Sequence, residues 1–122
     1  MAMCEKENRD TDNSDGLIDI KKFFDTKLKV AKVLSAERVA DTDKLMKLVI
    51  ELGEERRTLV AGIAEHYTPE DLDGKYIVVV ANLKPAKLRG ITSQGMLLAA
   101  KDENGLSLLT VDKPVCSGSD VG

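Results

Sequence analysis

Residues 76–100 read Tyr-Ile-Val-Val-Val-Ala-Asn-Leu-Lys-Pro-Ala-Lys-Leu-Arg-Gly-Ile-Thr-Ser-Gln-Gly-Met-Leu-Leu-Ala-Ala. Two apolar runs, Tyr76 to Ala81 and Met96 to Ala100, flank a segment that carries Lys84, Lys87 and Arg89. Short continuous apolar runs bounded by Pro and Gly are the pattern of buried strands. The stretch predicts strands over 75–81 and 95–101 with a basic loop between them. No acid occurs from Asn82 to Lys101, although 32% of the chain is charged. A cationic loop stiffened by Pro85 and anchored at both ends by buried strands suits a surface that grips phosphate.

Upstream, Lys27-Leu28-Lys29-Val30 alternates polar and apolar, the period of a half-buried strand. The alternation slips at Ala31-Lys32-Val33-Leu34, as a long, bulged strand would require. A second strand is predicted from Lys44 to Leu52, with Met46, Leu48, Ile50 and Leu52 on one face. Gly53-Glu54-Glu55 is a hairpin turn, and Arg57 to Ile63 returns as a third strand. Thr68-Pro69-Glu70-Asp71 starts a one-turn helix, with Thr68 as cap, Pro69 at the first helical position and Gly74 as its stop. Nearer the start, Asp19 is placed to cap a turn through Ile20–Phe24, with Ile18 and Phe23 or Phe24 facing the core. Downstream, Asp102-Glu103-Asn104-Gly105 is a turn, Leu106 to Val111 a further strand, and Pro114, Gly118 and Gly122 mark an irregular end.

Five main strands with a small helix between the third and fourth is the element order of an oligonucleotide/oligosaccharide-binding (OB) barrel. The expected class is therefore all-β, a five-stranded OB barrel with an extra carboxyl-terminal strand segment. Closure removes unpaired strand edges, so a small all-β domain can exist without covering helices.

The 122 residues fit one domain, 17–122, preceded by a disordered acidic tail or linker, 1–16. That tail holds five acids and two bases, which is the whole net charge of −3, and the remainder is balanced. Any larger part of the protein is expected to join at this end. The aromatic residues are Phe23, Phe24, Tyr67 and Tyr76 alone, so the core must be aliphatic and serial base stacking along a single strand is disfavoured. Cys4 and Cys116 make no disulfide framework, and no apolar stretch approaches the ~20 residues of a membrane span. A reduced, cytoplasmic location is the expectation.

Catalysis finds no support in the sequence. His66 is the single histidine, and no Ser or Cys has a motif placing it beside His66. Zinc needs more Cys and His than exist, and the glycines form no phosphate-loop or dinucleotide fingerprint. No catalytic residue, metal or cofactor is expected.

Several segments carry a family resemblance: Lys29-Val30-Ala31-Lys32-Val33-Leu34, Asp43-Lys44-Leu45, Val60-Ala61-Gly62-Ile63-Ala64, and above all Val80 to Gly90 with Ser93-Gln94-Gly95-Met96. From about Phe24 to Val121 the chain closely resembles the tRNA-binding domain at the carboxyl end of bacterial methionyl-tRNA synthetases. The same module occurs as a free-standing tRNA-binding protein and in the endothelial monocyte-activating polypeptide precursor. The resemblance implies the OB barrel, homodimers, and recognition of tRNA by shape at the outside of its elbow. It also implies a synthetase catalytic domain as partner, in cis or in trans, aided by weak tRNA binding.

Carried over by position, the resemblance places Asn82, Lys84, Lys87, Arg89, Ser93, Gln94 and Met96 on the tRNA-binding surface. Lys84, Lys87 and Arg89 would pair with phosphates. Ser93 and Gln94 would bond 2′-hydroxyls or phosphates, or else serve turn chemistry before a strand. Met96 would lie against a base or ribose, or else enter the core. Asn82 either contacts RNA or locks the loop to backbone. Lys29 and Lys32 would extend the positive surface, or are simply solvated. Lys44 would flank the binding face, or pair with Asp41 or Asp43. Leu106, Leu108, Leu109, Val111 and Val115 either complete the core or supply a dimer surface. A protein-binding scaffold or chaperone-like module of the same fold is the alternative, with contacts through that apolar strand.

Overall fold

The computed structural model describes residues 16–122, so all but the last residue of the predicted acidic tail lies outside the described residues. Strand β1 (Leu28–Arg38) is the longest and organises the sheet. It pairs antiparallel with β2 (Met46–Leu52) and, on its other side, with β4 (Tyr76–Val80). The predicted slip is a bulge: Val33 faces Ile50 and Ser35 faces Val49, which leaves Leu34 as the extra residue. An added residue bends a strand and tightens its twist, so β1 can serve two curved neighbours.

β2 shows strict alternation, with Met46, Leu48, Ile50 and Leu52 buried on one face as predicted. Through the turn at Gly53-Glu54 it continues into β3 (Glu55–Ala61), paired along its full length. Helix α2 (Pro69–Leu72) carries a full capping box: the Thr68 hydroxyl accepts from the Asp71 amide and the Asp71 carboxylate accepts from the Thr68 amide. That box fixes a four-residue helix too short to persist alone, and Leu72 seals the core beneath it.

The main sheet runs β3-β2-β1-β4-β7, where β7 (Met96–Leu97) pairs with the end of β4. It curls until β3 faces the segment entering β7, giving the OB-like half-barrel. Met46, Leu48, Ile50, Leu59, Ile77 and Val79 fill it, an aliphatic core as composition required.

Four expectations need correction. The predicted strand 95–101 is two strands: after Leu98 donates to the Val78 carbonyl, the chain leaves β4 and forms a separate hairpin of β8 (Ala99–Asp102) and β9 (Gly105–Leu108). The last predicted strand accordingly ends at Leu108 instead of Val111. The supposedly irregular end also returns to β1, where β10 (Asp120–Val121) pairs with Leu28 and Lys29. Finally, α1 (Ile20–Phe23) buries no residue. Ile18 is 60% and Phe24 49% exposed, because this single turn lies outside the barrel and its two Phe rings pack edge-to-face on each other, 5.1 Å apart.

Candidate nucleic-acid interface

The basic loop is itself a hairpin. β5 (Ala86–Leu88) and β6 (Ile91–Ser93) pair in the register Ala86↔Ser93, Lys87↔Thr92 and Leu88↔Ile91. Its two-residue turn is Arg89-Gly90, with φ of 53° and 81°. Consecutive positive φ values belong to the turns that match strand twist, where Asn and Gly are the usual occupants. Gly90 adopts this conformation freely, whereas an L side chain there costs about 1–2 kcal/mol.

Directly paired residues share one face of a hairpin. Ser93 is buried, so the Ala86–Ser93 pair marks the barrel side of the hairpin, although Ala86 itself is exposed, and Lys87 and Thr92 lie on the outer side. Lys84, Lys87 and Arg89 are all exposed, and none forms an ion pair among the described residues.

The base of this hairpin is fastened from several directions. The Asn82 side chain accepts from the Lys27 amide at 2.8 Å and donates to the Asp25 carbonyl at 2.7 Å. Of its two readings, the lock is the one the geometry forms. Arg57 was not singled out in the sequence. Its Nη1 donates to the Ala81 carbonyl at 2.6 Å and to the Gln94 carbonyl at 3.4 Å, so one guanidinium joins both stems. Its Nε donates to Glu55 Oε2 at 2.7 Å. That hydrogen bond, then the guanidinium charge, holds the Glu55 carboxyl below its ordinary pKa. The available signal was Glu-x-Arg at the start of a strand, since residues two apart share a face.

Ser93 and Gln94 close the barrel. The Ser93 hydroxyl accepts from the Val60 amide at 3.0 Å and donates to the Gly95 carbonyl at 3.2 Å. Gln94 Oε1 accepts from the Thr58 amide at 3.1 Å, and the Gln94 amide donates to the Thr58 carbonyl at 2.8 Å. Of the two readings of Ser93, the turn chemistry is the one the geometry forms: the residue is 5% exposed, and its oxygen serves as partner to the Val60 amide of β3. Gly95 permits the close passage, with φ of 137° and the site of a Cβ only 2.9 Å from the Val80 carbonyl oxygen.

Met96 pairs with Val80 at the foot of the hairpin and is 49% exposed, so it does not enter the core. Lys29 pairs with Val79 nearby, but its ammonium lies 2.7 Å from Asp120. The Lys29 hydrogen bond, then its charge, holds the Asp120 carboxyl below its ordinary pKa. Lys32 stands 6.0 Å from the Tyr76 ring centroid. Tyr76 is at the far end of β4 from Asn82, roughly 20 Å away along an extended strand, so Lys32 is not gathered with the hairpin cations. Lys44 is exposed in the β1–β2 connection, where its amide bonds the Thr42 hydroxyl, and it forms no ion pair with Asp41 or Asp43. Among the described residues no cluster of three or more His, Cys, Asp or Glu is placed to hold a metal, and no helix is long and apolar enough to cross a membrane.

Comparison with known proteins places the whole barrel in a family. Residues 28–120 match the family described as "Putative tRNA binding domain". The chain belongs to that family. Methionine–tRNA ligase of Thermotoga maritima is 61% identical over 104 residues, covering 85% of this chain and 16% of the ligase. The ligase of Methanocaldococcus jannaschii is 50% identical over 105 residues, again 85% of this chain and 16% of the ligase. The tRNA-binding domain thus spans about one-sixth of the length of those relatives. Among solved structures, a methionyl-tRNA-synthetase-related protein of Pyrococcus horikoshii superposes with a TM-score of 0.82 at 43% identity, covering 87% of this chain and 98% of that one. The chaperone CsaA of Bacillus anthracis superposes with a TM-score of 0.78 at 26% identity, covering 87% and 99%.

Proposed function

We propose that this tRNA-binding domain captures tRNA by its folded shape, through the hairpin Asn82–Ser93, and so assists a methionyl-tRNA synthetase catalytic domain in cis or in trans in the cytoplasm. The observation that carries this reading is the set of exposed cations on one braced hairpin with no carboxylate partners among the described residues. Lys84, Lys87 and Arg89 replace counterions along the RNA backbone, Met96 offers an apolar contact at the hairpin foot, and Lys44 flanks them. Asn82, Ser93 and Gln94 act through the frame that holds the cations. Lys29 contributes only on leaving Asp120, and Lys32 extends the field from a distance.

With about four phosphates neutralised, log K falls with log salt at a slope of roughly −3. The test compares tRNA binding by the chain and by its Lys84→Ala/Lys87→Ala/Arg89→Ala variant across salt concentrations. The variant should lose affinity and about 2–3 of that slope. Equal binding by the two would overturn the assignment to the hairpin.

A homodimer forms part of the same proposal. Leu106 packs on the core and Leu108 belongs to it, whereas Leu109 and Val115 are 38% and 42% exposed, which supports an apolar contact between copies. Sedimentation that finds monomer alone at high micromolar concentration would reject it.

A further inference from the structure

We propose that the cleft beneath the cationic hairpin receives one unstacked nucleobase of the bound RNA, with Glu55 and Gln94 reading its edge. The inference rests on the tRNA-binding reading and adds a subsite to it. The cleft has a volume of about 220 Å³ and is lined by Glu55, Arg57, Ala81, Leu83, Pro85 and Gln94. That is below the roughly 300–1,000 Å³ of sites for drug-sized ligands, so it suits a single ring system and not a whole nucleotide.

Its chemistry argues against phosphate. Arg57 is the one cation in the lining, and its charge is met by Glu55 at 2.7 Å. A phosphate entering here would face the Glu55 carboxylate, while the unpaired cations wait on the hairpin outside. What the cleft offers instead is apolar wall and two unused polar atoms. Leu83 is 46% exposed and Pro85 is exposed beside it. Glu55 Oε2 takes the Arg57 bond and Gln94 Oε1 takes the Thr58 bond; Glu55 Oε1 and Gln94 Nε2 have no partner among the described residues. One acceptor and one donor against apolar walls complement a base edge, which presents both kinds of group. The Arg57 guanidinium, held in place by three hydrogen bonds, provides a fixed planar group of the sort on which unstacked bases lie. Phosphates gripped by the hairpin would bring the adjoining base to this opening.

Two measurements test the subsite. Nuclear magnetic resonance titration of the chain with CMP or AMP should move the Gln94 side-chain amide, the Arg57 Nε–H and the Leu83 amide, and ribose 5-phosphate should leave them in place. Matching shifts from ribose 5-phosphate would mean a phosphate site, and no shift from either nucleotide at tens of millimolar would mean no base site; either result overturns the proposal. Separately, Leu83→Ser should weaken tRNA binding about 5- to 10-fold with an unchanged salt slope, since an apolar contact with a base carries no counterion. Wild-type affinity in Leu83→Ser removes the subsite while leaving the hairpin reading intact. Failure of the parent chain to bind tRNA with any salt dependence removes the hairpin reading, and the mononucleotide titration still judges the cleft.

Discussion

The Val60 amide donates to the Ser93 hydroxyl at 3.0 Å, across 33 residues of chain, and both groups are buried. A side chain here does the work that a facing backbone carbonyl does elsewhere in the sheet. Ser93→Ala would leave the Val60 N–H without a partner, at a cost of about 1–3 kcal/mol. Urea unfolding should show that loss, and the salt slope of tRNA binding should stay at its parental value. A changed slope with unchanged stability would instead return Ser93 to the RNA surface.

Arg89→Gly separates strain from charge. Gly accepts the φ of 53° that Arg89 holds at the hairpin tip, so stability should stay level or rise by up to about 1 kcal/mol despite the added unfolded-state entropy. Binding should move the other way, losing a little under one unit of salt slope. Chemical denaturation and salt-titrated tRNA binding on the same sample check both halves.

Removing the Arg57 clasp should loosen the hairpin without touching its cations. Arg57→Met forfeits the bonds to the Ala81 and Gln94 carbonyls and should cost about 1–3 kcal/mol. Amide hydrogen exchange should quicken from Lys84 to Gly90 while β1 and β2 stay protected. Unchanged exchange in the hairpin would show that Asn82, Ser93 and Gln94 suffice as its anchors.

Gly95→Ala brings a Cβ to within 2.9 Å of the Val80 carbonyl oxygen and 3.2 Å of a Leu59 methyl, at a φ that L residues rarely adopt. The neighbouring atom is backbone, so nothing yields cheaply. Thermal unfolding should register a loss of several kcal/mol, about 2 or more.

Acid sensitivity follows from three carboxylates whose folded pKa values are depressed. Asp71 is held down by the Thr68 amide and then the Thr68 hydroxyl, Asp120 by Lys29 and Glu55 by Arg57. A depressed folded pKa gives stability that is complete above the ordinary carboxylate range and is lost as pH falls through the folded value. The acid limb should therefore begin near pH 4 and deepen below it. Asp71→Asn should make that limb shallower, as read from denaturation midpoints between about pH 2 and 6.

Strand existence was legible wherever one face had to be buried. Met46, Leu48, Ile50 and Leu52 announce β2 by period alone, and the slip near Leu34 announces the bulge. Thr68-Pro69-Glu70-Asp71 likewise spells out its helix because capping is local chemistry. Long-range pairing was not legible. Nothing around Leu98 says that the chain changes partners there, and nothing at Asp120 names Lys29 as its mate. At the candidate site, the cations were visible as sequence, but their frame was not. Ser93 and Gln94 read as RNA contacts or turn residues, and Arg57 as the start of a strand, until the fold brings β3 against the hairpin stems, a tertiary contact that no local pattern encodes.

Leu28 lies opposite Val121, and the Phe24 ring borders Gly122, so the two ends of the folded unit meet at one pole. Asn82 is fastened to Asp25 and Lys27 at that same pole. A covalent tether leaving from either end thus starts beside the root of the hairpin instead of across the barrel from it. On the proposed reading of the hairpin, an enzyme joined there by a short leash would receive its RNA already oriented, with the lever arm between grip and tether reduced to a few residues. Circular permutation through the β8–β9 turn, with the old ends bridged, should consequently preserve the grip but redirect the delivery.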